Sequence, residues 1–152
     1  YSLARHVIFN KANKKLDDLI PGTKTSFEKA LLAIHKSYLH PVSALLNKVR
    51  IHGMAHITGG GLYDNIPRIL PENVNACIDR ATWKPQAVFN FIQQAGDIHD
   101  DEMFRVFNMG IGYMIIVPKK EVELTLSILK KEKQPAKLIG EITAGSKQTV
   151  LI

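Results

Sequence analysis

The chain has 152 residues, 45% of them apolar and 22% charged, with 20 lysines and arginines against 14 aspartates and glutamates. Such a length suits one domain with a proper core, and the composition excludes a disordered or collagen-like chain. The net charge of +6 comes from scattered lysines without an arginine tract or aromatic platform, and no apolar run nears the ~20 residues that span a bilayer, so neither nucleic acid nor a membrane is an expected partner.

Leu3, Val7 and Ile8 fall at helical spacing, which predicts a helix over residues 2–10. A chain that starts inside a helix, without methionine and without a secretory signal, reads as a piece of something longer. "NKKLDDLIPGTKTS" is a loop with a Pro-Gly turn. From Phe27 to Val49 the apolar residues Phe27, Leu31, Ile34, Val42, Leu45, Leu46 and Val49 predict two helical pieces, joined near His40 because Pro41 interrupts one continuous helix. "VRIHGMAHIT" reads as a strand with Ile51, Met54 and Ile57 facing the core, ended by the triple glycine.

A short helix is expected around residues 62–70, starting late so that Pro67 falls in its first turn. "NACID" is a strand holding Cys77, which reads as a small buried hydrophobe rather than a nucleophile. As the one cysteine it precludes an intrachain disulfide and fits a reducing cytoplasm. Trp83 is expected as a core or interface anchor. A helix over "KPQAVFNFIQQAG" should stop at Gly96, and a shorter one follows over "HDDEMFRVF". "GIGYMIIVP" is a buried strand, and "KEVELTLSILKKE" a surface helix with Val122, Leu126 and Leu129 inward. "AKLIGEIT" and "KQTVLI" are expected to form a hairpin across Ala144-Gly145-Ser146. The irregular alternation predicts an α+β domain with one mixed sheet.

The junction "AHITGGGLYDNIPR" is the main candidate for chemistry. Without side chains, the backbone amides of Gly59, Gly60 and Gly61 can converge on an anion, and a following helix N-terminus adds donors. Thr58 offers a hydroxyl, and the fork of Arg68 suits a phosphate. The rival reading is a tight structural turn; neither GxxxxGK[ST] nor GxGxxG is present. In "FNMGIGYMIIVP", Asn108 could turn its amide to a ligand, while Gly110 and Gly112 read equally as a bulge or close backbone packing. His52 and His56 share a strand face like half a metal site, but no nearby Cys, Asp or Glu completes it, so packing or hydrogen bonding is expected and no metal. In "IHDDE", residues 98–102, Asp100 and Asp101 are expected to cap a helix and complement its dipole rather than bind magnesium.

Longer stretches add to this reading. "GMAHITGGGLYDNIPRILP", "WKPQAVFNFIQQAG" and "EMFRVFNMGIGYMIIV" resemble, in order, the aminoimidazole ribonucleotide synthetase family, also called phosphoribosylformylglycinamidine cyclo-ligases. The opening "YSLAR" looks like the end of that family's Ser-Asn-Gly-Tyr-Ser-Leu element, and "LIGEI" like its closing strand. The resemblance covers nearly all of the chain and corresponds to the C-terminal domain of a two-domain enzyme, 1–152, without the N-terminal ATP-binding domain. It implies a layered α/β/α, partly ferredoxin-like fold and an ATP- and Mg2+-dependent ring closure of formylglycinamidine ribonucleotide in purine synthesis. It further implies a cytoplasmic homodimer when full length, with ATP and Mg2+ bound mainly through the absent domain.

By resemblance, Thr58, Gly59, Gly60, Gly61, Asn65 and Arg68 would contact phosphate, while His56, Asn108, Gly110 and Gly112 would line the interdomain cleft. One segment departs: in "LLAIHKSYLH", Ile34, His35, Lys36 and His40 stand where the family pattern has Pro, Thr, Arg and Lys. A lysine there supplies a point charge where arginine supplies a bidentate fork. Two alternatives stay open. One is a related ATP-dependent enzyme of the selenophosphate synthetase, thiamine-phosphate kinase or formylglycinamidine ribonucleotide synthetase type; the other is a non-catalytic phosphate-binding module.

Overall fold

The helical spacing at the N-terminus closes into α1 (Ser2–Arg5), which continues as a π-helical stretch over His6–Lys11 and buries Ala4, Val7 and Ile8. The computed structural model describes residues 1–152. After the Pro-Gly loop, Ser26 caps α2 (Phe27–Leu31) by accepting from the Lys29 amide at 3.2 Å. The two helical pieces expected next are shorter than their spacing implied. Residues 33–38 are not helical, and Ile34 is 97% exposed. Pro41 lies inside the first turn of α3 (Leu39–Leu45) rather than before it, because a proline at the start of a helix removes only an amide that has no partner there.

Strand β1 (Gly53–His56) pairs antiparallel with β3 (Tyr113–Ile116), in the register Gly53 with Ile116 and His56 with Tyr113. Its inward residues are Ala55 and the following Ile57, while Met54 is exposed, since alternation puts Met54 on the other face. Between them run α4 (Gly61–Asn65), a 3-10 turn (Pro67–Ile69), β2 (Val74–Ile78), α5 (Ala87–Gly96) and α6 (Asp100–Val106). Thus α4 starts early and ends before Pro67, which opens a separate turn. Gly96 is the last residue of α5, and Asp97 takes the left-handed conformation (φ 52°) that stops it. Gly96 is there for space: a Cβ on it would lie 2.6 Å from Ile98 and 3.1 Å from Val7.

The C-terminal part is α7 (Val122–Lys131), β4 (Gly140–Ala144) and β5 (Thr149–Leu151). Helix α7 buries Thr125, Ile128 and Leu129, with Val122 and Leu126 half-buried. The expected terminal hairpin does not form. β4 and β5 lie on either side of β2, antiparallel and parallel to it, so the domain holds a three-stranded mixed sheet and a separate two-stranded one rather than a single sheet. The connection passes over one end of β2, where the Asn75 Oδ1 accepts from the Ser146 and Gln148 amides, each at 2.9 Å. Asn75→Ala leaves both donors without that partner. It is expected to cost about 1–3 kcal/mol, and a thermal midpoint unchanged from wild type would show that the clasp is dispensable.

The main core gathers α1, β1, α4, β2, α5 and α6 around Ile8, Phe27, Leu62, Ile66, Ile92 and Met103. A smaller cluster, Leu45, Val49, Ile128 and Leu129, packs α3 and α7 against Ile115 and Val117 of the β3 segment. The two-stranded sheet therefore has apolar packing on both faces, which gives the α+β layering.

Candidate functional site

Antiparallel pairing of β1 and β3 brings the exit of the first strand beside the entry of the second. The Ile57 amide donates to the Gly112 carbonyl at 2.9 Å, so the two glycine motifs, more than fifty residues apart in sequence, meet at one end of this sheet.

The three consecutive glycines have different jobs. Gly61 (φ 53°) is buried, and a Cβ there would fall 2.0 Å from the Phe104 carbonyl oxygen and 2.7 Å from that of Phe107. Gly60 (φ 97°) is required by its left-handed backbone. Gly59 has neither constraint: a Cβ there meets nothing within 4 Å. The amides of Gly59, Gly60 and Leu62 donate to no protein acceptor, while that of Gly61 is used by the Thr58 carbonyl at 3.1 Å. Helix α4 is only five residues long, so its dipole adds little and the loop amides themselves are the donors.

Asn65 is 6% exposed and holds the loop in shape. Its Nδ2 donates to the carbonyls of Gly59 (3.1 Å) and Gly61 (2.8 Å), and its Oδ1 faces the Thr58 hydroxyl at 3.5 Å. Its polar atoms thus serve the loop itself. Leu62 and Ile66 anchor α4 in the core, and the Thr149 hydroxyl donates to the Leu62 carbonyl at 3.2 Å. On the outer side, the Tyr63 hydroxyl donates to Asp101 at 3.0 Å; burial first, then the Asp101 carboxylate, raises its pKa. Arg68 is exposed and has no ion pair or hydrogen bond. Its neighbour Ile69 packs by Gly53, at the end of β1 away from the glycines.

Asn108, Gly110 and Gly112 border a different space, an open groove of ≈ 1320 Å³ along β3. The loop from Thr58 to Asn65 does not line it. Asn108 makes a local turn, its Oδ1 accepting from the Gly110 amide at 3.0 Å. Met109 adopts φ 49°, and Trp83 pins it by donating from Nε1 to its carbonyl at 2.9 Å; Trp83 is a core residue. Gly112 leaves room for Tyr38, whose hydroxyl oxygen would lie 2.0 Å from a Cβ there. Burial raises the Tyr38 pKa above its ordinary value, so the phenol stays neutral at physiological pH.

His56 stands between the two regions. Its ring packs by Tyr38 (6.0 Å) and Tyr113 (6.1 Å), and its Nε2 lies 3.3 Å from Nε2 of His35. The half-site with His52 is therefore replaced by a contact with His35, in the segment that departs from the family pattern. His35, Lys36 and Tyr38 line the groove; in the sequence His35 and Lys36 stand out only as departures from the family pattern, and Tyr38 carries no signal of its own. In "IHDDE" the cap is His99, whose Nδ1 faces the Asp101 amide at 3.4 Å, rather than either aspartate. Asp100 instead pairs with Arg80 at 3.2 Å. The aspartates still occupy the first turn, where they oppose the helix dipole. Cys77 is half-buried, its sulfur 3.3 Å from the Thr143 hydroxyl. No helix is long and apolar enough to cross a membrane.

The chain is 47% identical over 142 residues to a phosphoribosylformylglycinamidine cyclo-ligase of Geotalea daltonii, covering 93% of this chain and 41% of that protein. It is 42% identical over 151 residues to one of Alkaliphilus metalliredigens, covering 99% and 44%. It is 44% identical over 151 residues to one of Thermoanaerobacter sp., covering 99% and 45%. The chain thus spans less than half the length of these relatives. The family model described as AIR synthase related protein, C-terminal domain, matches residues 1–152, and the chain belongs to that family.

Proposed function

We propose that this chain is the C-terminal half of an ATP-dependent cyclo-ligase that converts formylglycinamidine ribonucleotide to aminoimidazole ribonucleotide. It would supply one wall of an interdomain site. The observation that carries this reading is the Ile57–Gly112 hydrogen bond, which sets the glycine loop and the Asn108–Gly112 turn side by side. In this reaction ATP activates the formyl amide oxygen, the amidine nitrogen attacks the same carbon, and the oxygen departs as phosphate. The role of this half is to hold anionic groups through the amides of Gly59, Gly60 and Leu62 and the Thr58 hydroxyl, in a loop shaped by Asn65. His56, Asn108, Gly110 and Gly112 border the cleft.

The donors in the loop are amides and a hydroxyl, which fit phosphate oxygens. No three His, Cys, Asp or Glu side chains converge. By the family resemblance we assign Mg2+, and most ATP contacts, to the N-terminal half, which would also form the homodimer of a cytoplasmic enzyme. The full-length protein should form ADP and aminoimidazole ribonucleotide from ATP and formylglycinamidine ribonucleotide; absence of both products would overturn the assignment.

Ile69, next to Arg68, packs by Gly53 at the end of β1 away from the glycines, so we assign Arg68 a different phosphate from the one the loop holds. Arg68→Ala is expected to raise the KM for a phosphorylated substrate about tenfold, the size of one charge-assisted contact. The thermal midpoint should not move, because Arg68 is exposed and unpaired. An unchanged KM for both ATP and the ribonucleotide would remove Arg68 from the site.

A further inference from the structure

We propose that His35 and His56 form a binding site for a divalent late transition-metal ion of the Zn2+ or Co2+ class, at the edge of the groove. Their Nε2 atoms are 3.3 Å apart, with the rings at 83° and their centroids 5.0 Å apart. Two nitrogens bound to one tetrahedral ion at ~2.0–2.1 Å are themselves about 3.3–3.4 Å apart. The pair already has the separation that a shared ion imposes.

The tautomer of His35 supports the same reading independently. Its Nδ1 lies 3.0 Å from the Lys36 carbonyl oxygen. A carbonyl can only accept, so Nδ1 carries the proton and Nε2 presents a lone pair toward His56. Metal-bound imidazoles are held in this way, with the other ring N–H on a carbonyl or carboxylate. Without an ion, His56 donates from Nε2 to His35. With one, its proton resides on Nδ1, which has no protein partner, so both rings ligate while neutral.

The rings are held in place. His56 is the last residue of β1, opposite Tyr113, and Tyr38 packs beside both imidazoles. Both histidines are exposed, so an ion reaches them from solvent. No third His, Cys, Asp or Glu joins them, which leaves the remaining positions to water or to oxygens of a ligand in the groove. Two imidazoles suit zinc, cobalt or nickel and not magnesium, which takes oxygen donors. The site is thus distinct in kind from one for the Mg2+ that accompanies ATP.

Calorimetric titration of tag-free, full-length protein with Zn2+ tests the site directly. Wild type should bind one equivalent more than His35→Ala or His56→Ala, or bind that equivalent at least tenfold more tightly. His52→Ala should match wild type. Titration with Co2+ should give a visible d–d absorption of low-symmetry, nitrogen-ligated cobalt that both variants lose. Equal stoichiometry, affinity and spectra in wild type and the two variants would overturn the proposal, leaving the rings as a hydrogen-bonded pair. Both side chains are exposed, so the variants should keep the wild-type midpoint; where one does not, His35→Gln or His56→Gln replaces it in the same comparison.

Discussion

Gly61→Ala is expected to lower the thermal midpoint of this domain by about 10 °C or more, or to prevent folding altogether. The added methyl carbon would lie 2.0 Å from the Phe104 carbonyl oxygen of α6 and 2.7 Å from that of Phe107, the residue after its end, inside van der Waals contact with both backbone atoms. Backbone cannot swing aside as a side chain can, so α4 and α6 must separate. That separation would expose Leu62 and Met103, both fully buried. The residue also adopts φ 53°, which costs an alanine about 1 kcal/mol before any clash. Together these place the loss at about 3–5 kcal/mol, near the upper end for a single substitution. For a chain of this size each kcal/mol moves the midpoint by about 2–4 °C. A stable Gly61→Ala domain, read by circular dichroism during heating, would show that α4 and α6 do not approach as described.

Gly59→Val should do the reverse: leave the midpoint within about 2 °C of wild type and reduce kcat/KM of the full-length enzyme by about 100-fold or more. Nothing in the fold occupies the space a side chain would fill at Gly59, and its φ is not left-handed. A branched side chain at this point would cover the amides of Gly59 and Gly60, the donors without a protein acceptor. Misplacing a bound phosphate by about 1 Å is enough for a loss of that order. Full activity in a folded Gly59→Val enzyme would reduce the triple glycine to a turn. The two substitutions, two residues apart, separate packing from ligand approach within one motif.

Much of the candidate site was legible in the chain because its signals are local. A run of glycines at the exit of a strand, the inward Ile57 and the helical spacing in α5 all depend on neighbours a few residues away, whereas Met54, expected inward, is exposed and Ala55 takes that place. The errors have local causes too. Apolar spacing carried a helix through Ile34, yet residues 33–38 are not helical and all but Ser37 line the groove, with Ile34 exposed. Pro67 was used to start a helix that had already ended. Asp100 and Asp101 have the chemistry of a cap, but the backbone gave that position to His99.

The order of β4, β2 and β5 is another matter. Two short strands joined by a Gly-containing turn read as a hairpin by every local rule. What separates them is a strand sixty residues earlier, inserted between them and fastened by Asn75. No spacing within the C-terminal segment encodes that insertion.

By itself, then, the sequence determined the α+β class, the position of both glycine motifs and, through whole-chain resemblance, the family. Only the tertiary structure decided which glycine serves packing and which is open to a ligand, because that depends on the Phe104 and Phe107 carbonyls across the interface with α6. It likewise replaced His52 with His35 as the partner of His56, since an imidazole's neighbours depend on which chain segments are folded together. Periodicity reports the face on which a residue lies; contact between distant segments is settled by the packing of the elements that carry them.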